Sequence, residues 1–393
     1  MGFLSFLATC WFRLLTVLTS AALFLGFIPT NPAAGVPDAG AEARFALLSD
    51  VHQESFEQYR IDGWRDALLD MRASEGIDAL VLLGDNTMNG QGFEYFRLYN
   101  GLAAYANLPA VVAMGNHDMN HTWYSSREAI TRHVFWKSAY DGIHAADATD
   151  NLLAALPYYS TDIGGYPVIV LGDEEAHEDT TATITQTQLD WFAAEMEAAA
   201  QTGKPIFVFL HQPLLHAFNE WGWGSVGDAS EDIRAIVEQY SDVFFFSGHL
   251  HTVYGSLLEM KTINGVNYFN LPSFLSERTT LGLGYMVDIY ADRVELKLRD
   301  FIESEFDDTY CWSVPLQAAA QAASAPAAAA EENASSVTAP EATESLPAAA
   351  EGDAGTVGTS DPAVLAALPE LSDETAAQPS AEDLPQEAGS GLS

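Results

Sequence analysis

The stretch AVVAMGNHD, residues 110–118, places three polar side chains directly after an apolar run. Ala110 to Met114 is typical of a buried β-strand, and Asn116, His117 and Asp118 follow at its carboxyl end. Burying an amide, an imidazole and a carboxylate together costs free energy unless they have partners, so this position indicates a site. Taken alone, the stretch is also compatible with a turn that caps the next helix.

Four other apolar runs also end in residues of the kinds that bind metal ions. The runs are 44–48, 79–83, 206–210 and 243–246, and the residues after them are Asp50, His52, Asp85, His211, His249 and His251. One such coincidence is unremarkable, but five of them are not explained by turn chemistry. We therefore expect five strand ends to deliver one set of metal ligands.

Helical spacing between the runs predicts how they are connected. Residues 64–72 and 93–105 read as helices between the first three runs, which makes two β-α-β units with parallel strands. Further predicted elements are a hairpin at 157–162 and 166–171, helices at 188–200 and 232–240, and strands at 266–271, 284–290 and 294–299. We interpret the last three as completing a second sheet, so that two sheets pack together with helices outside.

The charge of the chain limits its partners. Its 393 residues carry a formal net charge of -39, and residues 317–393 contain 13 acidic residues and no basic one. Such a negative electrostatic field repels polyanions, so no nucleic acid polymer is expected as a partner.

Because residues 316–393 are rich in Ala, Pro and Glu and lack aromatic side chains, we expect a disordered tail after a catalytic domain at 42–315.

The amino-terminal residues resemble a targeting segment. Arg13 precedes the uncharged stretch Leu14 to Ile28, and Ala39-Gly40-Ala41 fits a cleavage pattern for secretory signals. We expect residues 1–41 to be a signal peptide, with an uncleaved membrane anchor as the alternative, because residues 2–12 are apolar as well. Either reading predicts a secreted or extracytoplasmic protein that contacts a membrane only through this segment.

Aspartate, asparagine and histidine together suit manganese, iron or zinc. A carboxylate can bridge two such ions about 3.5 to 4 Å apart, which is the spacing that two-metal hydrolases use. A water molecule that bridges the ions becomes hydroxide near neutral pH, and the ions attract a phosphoryl group. The ligand set therefore predicts two divalent metal ions and attack on a small phosphoester by a metal-bridging hydroxide.

In order along the chain, the ligand blocks resemble those of the calcineurin-like metallophosphoesterase superfamily. The blocks are Asp50-Val51-His52, Gly84-Asp85, Gly115-Asn116-His117-Asp118, His211 and Gly248-His249-Leu250-His251. The resemblance covers roughly residues 44–301 and implies a four-layer α/β/β/α sandwich of the mixed α/β class. It also implies residue roles: Asp50, His52 and His251 on one metal, Asn116, His211 and His249 on the other, Asp85 bridging, His117 near the substrate oxygen, and Asp118 as its orienting partner.

Two departures from the patterns of particular branches indicate which branch of the superfamily the chain resembles. Met88 stands where purple acid phosphatases have a metal-binding tyrosine, and no Asp-Arg-Gly follows Asp85 as in protein Ser/Thr phosphatases. The chain is most similar to compact bacterial phosphoesterases, which include phosphomonoesterases and cyclic-nucleotide diesterases.

A nucleotide or cyclic nucleotide is therefore one substrate expected, and Trp221 and Trp223 would contact it or pack in the core. A secreted binding module that keeps the fold without turnover is the alternative, against which the full ligand set argues.

The first prediction concerns export. Mass spectrometry of the native protein should find either a chain cleaved before Arg44 or a full-length chain in the membrane fraction, and limited proteolysis should trim residues 316–393 without loss of activity. A soluble full-length product in the cytoplasm would contradict the prediction.

Overall fold

The computed structural model describes residues 40–54, 57–119, 125–144, 156–175, 180–215, 217, 224–252, 260–274 and 282–317. Residues 1–39 of the predicted targeting segment, residues 318–393 of the predicted tail, and both Trp221 and Trp223 lie outside these ranges. Within the described ranges, every helix is too short or too polar to span a bilayer.

The described part of the chain alternates strands and helices in its first half and is mostly strands near its end. The strands are β1 (Ala43–Leu48), β2 (Ala79–Leu83), β3 (Ala110–Ala113), β4 (Tyr159–Ile163), β5 (Tyr166–Val170), β6 (Ile206–Phe209), β7 (Val243–Thr252), β8 (Met260–Ile263), β9 (Val266–Pro272), β10 (Leu283–Ile289), β11 (Arg293–Asp300) and β12 (Glu305–Pro315). The helices are α1 (Gln58–Ala73), α2 (Gly92–Gly101), α3 (Asn116–Met119), α4 (Ser126–His144), α5 (Gln186–Ala200) and α6 (Ala229–Val237), and a π-helical turn, Leu102–Ala106, extends α2.

The strands form two six-stranded sheets. The first has the order β12-β11-β10-β1-β2-β3, and the second has the order β4-β5-β6-β7-β9-β8. Strands β1, β2 and β3 are parallel to one another, as are β5, β6, β7 and β9. The predicted parallel units and the predicted hairpin of β4 and β5 are therefore present.

Side chains of each inner strand alternate between two layers of the core. In β1, Phe45 and Leu47 belong to the cluster between the two sheets, whereas Ala46 and Leu48 belong to the cluster beneath helices α1 and α2. A third cluster lies between the second sheet and helices α5 and α6. Because a strand buried on both faces is apolar throughout, this arrangement explains the continuous apolar runs in the sequence. The predicted four-layer α/β/β/α sandwich is confirmed.

The late strands differ from the prediction that they complete the second sheet. Only β8 and β9 join that sheet, whereas β10 to β12 extend the first sheet from β1. Strand β10 pairs antiparallel with β1, with Ala43 opposite Ile289, and covers an edge that would otherwise be unpaired. Strand β12 was not predicted, because this mostly exposed strand contains the polar run Asp307-Asp308-Thr309, which is depleted in strand-forming residues.

The carboxyl ends of the parallel strands of both sheets are joined by backbone hydrogen bonds. After β1 and β2, Asp50 N donates to Gly84 O at 3.1 Å, and His52 N donates to Asp85 O at 2.8 Å. Phe274, just after β9, donates its N–H to Ser49 O at 2.9 Å and so ties the second sheet to the first. The loops that carry the predicted ligands are therefore held together at one edge of the molecule.

Candidate metal centre

Five of the predicted ligands stand at left-handed backbone positions. The φ angles are 56° for Asp50, 46° for His52, 48° for Asp85, 68° for His249 and 47° for His251. Nine non-glycine residues in the described ranges have positive φ, so these five are most of them. Since that conformation is unfavourable for residues with a Cβ atom, strain concentrated in this way indicates a functional site.

Strand β7 carries two of these residues because its pairing is interrupted. Its register with β9 shifts between Ser247 and Thr252, which is typical of a bulge. Within the interruption, Gly248 N donates to His211 O at 2.9 Å, and His249 N donates to Asp50 Oδ2 at 3.2 Å. The bulge thereby anchors the histidine pair on residues that follow β6 and β1.

A first group of ligand atoms belongs to Asp50, His52, Asp85 and His251, and these atoms all lie within 4.8 Å of one another. The Nε2 atoms of His52 and His251 are 3.0 Å apart, and His251 Nε2 is 3.3 Å from Asp50 Oδ1. Two imidazole nitrogens and a carboxylate oxygen that converge in this way could hold one cation.

A second group consists of Asp85, His211 and His249, whose ligand atoms also lie within 4.8 Å of one another. His211 Nδ1 lies 2.8 Å from Leu83 O. Since a carbonyl oxygen only accepts hydrogen bonds, Nδ1 must be the donor. The other ring nitrogen, Nε2, is therefore the one that can bind a metal ion. Asn116 is 8% exposed, and its Oδ1 is buried without a hydrogen-bond partner in the described structure. The structure thus brings the predicted ligands of the second metal to the same edge.

Asp85 belongs to both groups, and its two oxygen atoms have different surroundings. Oδ1 accepts a hydrogen bond of 2.8 Å from the backbone N–H of His117. Oδ2 lies 3.2 Å from His211 Nε2 and 3.8 Å from His52 Nε2. One oxygen therefore fixes the carboxylate, while the other faces ligands of both groups, as a bridging residue requires.

Several ligand atoms are buried and have no hydrogen bond within the described residues. They are Asp50 Oδ1, Asp85 Oδ2, Asn116 Oδ1 and His211 Nε2. An unsatisfied buried polar atom costs about 1 to 3 kcal/mol, and the nearest polar groups here are other ligand atoms, such as His211 Nε2 at 3.2 Å from Asp85 Oδ2, so a cation would serve the cluster as a common partner. Nitrogen and oxygen donors in this arrangement fit divalent cations such as manganese, iron or zinc.

The electrostatics of the centre favour ionised carboxylates. Burial opposes the charge of Asp50, but the imidazoles of His251 and His211 outweigh it and lower the pKa to about 2. Burial acts in the same sense on Asp85, yet His211 and other imidazoles hold its pKa well below the usual range. For His211, the two carboxylates overcome burial and raise the pKa to about 9. At neutral pH both carboxylates are therefore ionised, and His211 carries a proton.

Two other histidines of the centre have lowered pKa values. Burial lowers the pKa of His52 to about 3 although Asp85 and Asp50 act in the opposite direction. Burial and the neighbouring His211 lower the pKa of His249 to about 4. Neutral imidazoles at these positions are already in the form that binds a cation.

Asp118 differs from its predicted role as a partner of His117. Its buried carboxylate accepts five hydrogen bonds instead: from N and Nδ2 of Asn86, N and Oγ1 of Thr87, and N of Gly115, at 2.7 to 3.2 Å. Burial and the charge of Asp85 raise its pKa to about 6. Asp118 therefore fastens the loop after β2 to the turn after β3.

His117 is partly exposed and lies beside the first group. Its ring meets that of His52 edge to face, with centroids 4.6 Å apart. Its Nδ1 lies 2.8 Å from the carbonyl oxygen of Met88, which takes the orienting position predicted for Asp118. A backbone carbonyl has no signature in residue type, so the sequence gives no signal for this contact.

Two glycines of the sequence blocks allow the loops to approach. A Cβ atom on Gly115 would lie 2.2 Å from Asp85 Oδ1, and one on Gly248 would lie 2.0 Å from Ser49 Oγ. The hydroxyl of Ser49 donates to Asp50 Oδ2 at 2.6 Å and was not identified from the sequence. Glycine next to a ligand is thus the signal that close packing is required there.

Residues 43–253 match the family model described as calcineurin-like phosphoesterase. A dimetal phosphatase from Danio rerio is similar in structure, with 15% identity, a TM-score of 0.53, and coverage of 70% of this chain and 99% of that chain. A purple acid phosphatase from yellow lupin (Lupinus luteus) seeds has 13% identity and a TM-score of 0.47, over 70% of this chain and 53% of that chain. No curated protein matches the chain. At these identities, the likeness to the Danio rerio structure shows the fold alone.

The second prediction tests Asp85 as the shared ligand. Asp85→Asn keeps an acceptor for the His117 N–H but removes the carboxylate that both groups share, so the two metal ions should not both be retained. Metal analysis should find fewer than two ions per chain. Asp242→Asn is the matched control, because Asp242 is also a buried aspartate with positive φ, and it should keep the wild-type metal content. Equal metal content in both variants would contradict the assignment.

The third prediction concerns proton release. Because the raised pKa of His211 keeps it protonated below about pH 9, a cation must displace that proton on binding. Apparent affinity should therefore rise with pH, by roughly tenfold per pH unit for each proton displaced, up to about pH 9. Calorimetry at pH 7 in buffers of different ionisation enthalpy measures the release. Heats that do not depend on the buffer would contradict it.

Proposed function

The chain belongs to the calcineurin-like phosphoesterase family, and from that membership we propose that it hydrolyses phosphoesters with two divalent metal ions. The observation that carries the proposal is that the two ligand groups share Asp85. A single carboxylate common to two cation sites is the arrangement that two-metal hydrolysis requires.

The ligand roles that the sequence resemblance implies agree with the two groups, and Asn116, directly after β3, is added to the second. Asp50, His52 and His251 would hold one ion, Asn116, His211 and His249 would hold the other, and Asp85 would bridge them. Bound there, two ions of manganese, iron or zinc would polarise the phosphoryl group and activate water as the nucleophile. The family match, together with the four orphaned ligand atoms, supports this assignment over a binding module without turnover.

The protein itself supplies orientation and charge. Leu83 O fixes the ring of His211, and the His117 N–H fixes the carboxylate of Asp85, so neither ligand has to reorganise when a cation enters. Strongly ionised Asp50 and Asp85 provide the negative charge that attracts cations. Because these side chains are already oriented, they do not have to reorient when charge develops in the transition state, and the free energy of that step is saved.

We propose that His117 acts at the leaving group of the substrate. Its Nδ1 is occupied by Met88 O, which leaves Nε2 for a substrate oxygen, and its ring lies at the edge of the first ligand group. A protonated imidazole there would donate a proton to the departing oxygen. This role needs no direct contact with a cation.

The proposed substrate is a small phosphomonoester or phosphodiester, such as a nucleotide or a cyclic nucleotide. The strongly acidic chain disfavours polyanions, whereas a cation pair would attract a single phosphoryl group locally. We also propose that the enzyme works outside the cytoplasm, on the evidence of Arg13 and the uncharged stretch after it.

The fourth prediction tests the function and the role of His117 together. The wild-type protein should hydrolyse small esters only when manganese, iron or zinc is supplied. In His117→Gln, hydrolysis of alkyl phosphoesters should fall by ~10²- to 10⁴-fold, whereas a nitrophenyl ester should lose much less, because its leaving group is stable as an anion. Steady-state kinetics on both esters, with metal analysis of the same samples, measures the effect.

The outcomes separate the parts of the proposal. Absence of metal-dependent hydrolysis of any ester in the wild-type protein would contradict the function. Equal losses on the two esters would remove proton donation by His117, and loss of metal from His117→Gln would show that His117 is a ligand.

A further inference from the structure

The loop between β2 and α2 provides the atom that orients His117. In this loop, residues 87–91, the carbonyl oxygen of Met88 lies 2.8 Å from His117 Nδ1. A carbonyl oxygen only accepts hydrogen bonds, so His117 must carry a proton on Nδ1. The orientation of the ring therefore depends on where the loop backbone places one carbonyl.

Most backbone polar groups of the loop are held by specific partners. Met88 N donates to Gln53 O at 3.0 Å, and Gly90 N donates to Thr87 Oγ1 at 3.1 Å. Arg132 of helix α4 donates to Gly90 O at 3.0 Å. The position of the Met88 carbonyl is thus set by a network rather than by one contact.

Glu94, a side chain outside the loop, accepts three hydrogen bonds from it. Its carboxylate accepts from Asn89 N at 2.9 Å, Asn89 Nδ2 at 3.1 Å and Gln91 N at 3.1 Å. The residue is 1% exposed and forms a capping box with Gln91 at the start of α2. It belongs to neither ligand group.

We propose that Glu94 is a positioning residue for His117. By fixing the backbone of Asn89 and Gln91, its carboxylate holds the Met88 carbonyl at hydrogen-bonding distance from Nδ1. The effect on catalysis rests on the function proposed above, in which His117 acts at the leaving group. A loop carbonyl orients the imidazole only as firmly as the loop itself is held.

Loss of the carboxylate leaves two partly buried N–H groups of the loop, those of Asn89 and Gln91, without their acceptor, and the backbone must move to find others. Misplacement of a reacting group by about 1 Å reduces rate by roughly 10²-fold. The metal ligands keep their own contacts, since Asp85 and His52 are held by other hydrogen bonds. The defect should therefore appear in proton donation and not in metal binding.

The chain offers a matched control in Glu128. This residue occupies the corresponding position near the start of α4, where it accepts from N and Oγ of Ser125, both at 2.8 Å. Glu128→Ala removes a helix cap of the same kind, but it leaves the contacts of Glu94 with the loop unchanged. Because Glu128 is exposed whereas Glu94 is buried, this variant measures the effect of losing a capping contact, and Glu94→Gln, which keeps the size of the buried side chain, measures the effect of losing the charge.

The kinetic experiment compares Glu94→Ala, Glu94→Gln and Glu128→Ala in the full chain, alone and combined with His117→Gln. Glu94→Ala should slow alkyl phosphoesters by roughly 10- to 100-fold and a nitrophenyl ester much less, with wild-type metal content. In the His117→Gln background, the same change should cause no further loss, because both act through one group. Glu94→Gln retains one acceptor oxygen and should be intermediate, and Glu128→Ala should match wild type.

A spectroscopic readout keeps the two proposals distinguishable. In the zinc-loaded protein, the Nδ1 proton of His117, assigned by its absence from His117→Gln, should exchange slowly with solvent in wild type and Glu128→Ala. It should exchange at least tenfold faster in Glu94→Ala. Unchanged exchange would overturn the positioning role of Glu94. Faster exchange without a difference between the esters would retain that role and contradict proton donation by His117. Additive losses in the double variant, or loss of metal from Glu94→Ala, would show a general structural effect.

Discussion

The centre depends on the fact that the two carboxylate oxygens of Asp85 have different partners. Oδ1 is tied to the turn after β3, and Oδ2 is left among imidazoles from the ends of β1 and β6. Such an arrangement requires loops from two different sheets to meet within hydrogen-bonding distance. The left-handed residues, the bulge in β7 and the close glycines all allow that meeting, and a cation bound to the buried ligand atoms would offset their strain.

The sequence was sufficient for the layers of the fold and for the set of ligands that converge. Buried parallel strands are apolar on both faces, so β1, β2 and β3 appear as continuous runs, and the residues after them stand out because polar side chains interrupt an apolar pattern. Helices between the runs then impose parallel order, and parallel strands end at the same edge. Residue type thus predicted the ligands, and their position after the parallel strands predicted that they converge.

Other features depend on contacts that the local pattern does not encode. The pairing of β10 with β1 is decided by which strand edge remains open, and β12 is recognised only from its neighbour, since most of its side chains are exposed. The family resemblance implied Asp118 as the partner of His117, whereas its five hydrogen-bond donors come from the loop after β2 and from Gly115. Met88 acts through its backbone, so its side chain reveals nothing.

The pairing of β1 with β10 has a consequence for the order of events during synthesis. Arg44 and Asp288, which form an ion pair across these strands, are 244 residues apart, and Asp50 meets the His249 N–H over 199 residues. Contacts of such high contact order form late, because loop closure must precede them. Neither ligand group is complete before residues 249–251 have emerged from the ribosome. A cation held by either complete group would therefore enter only after about two thirds of the 393 residues have been made, and not while β1 to β3 are the only strands present.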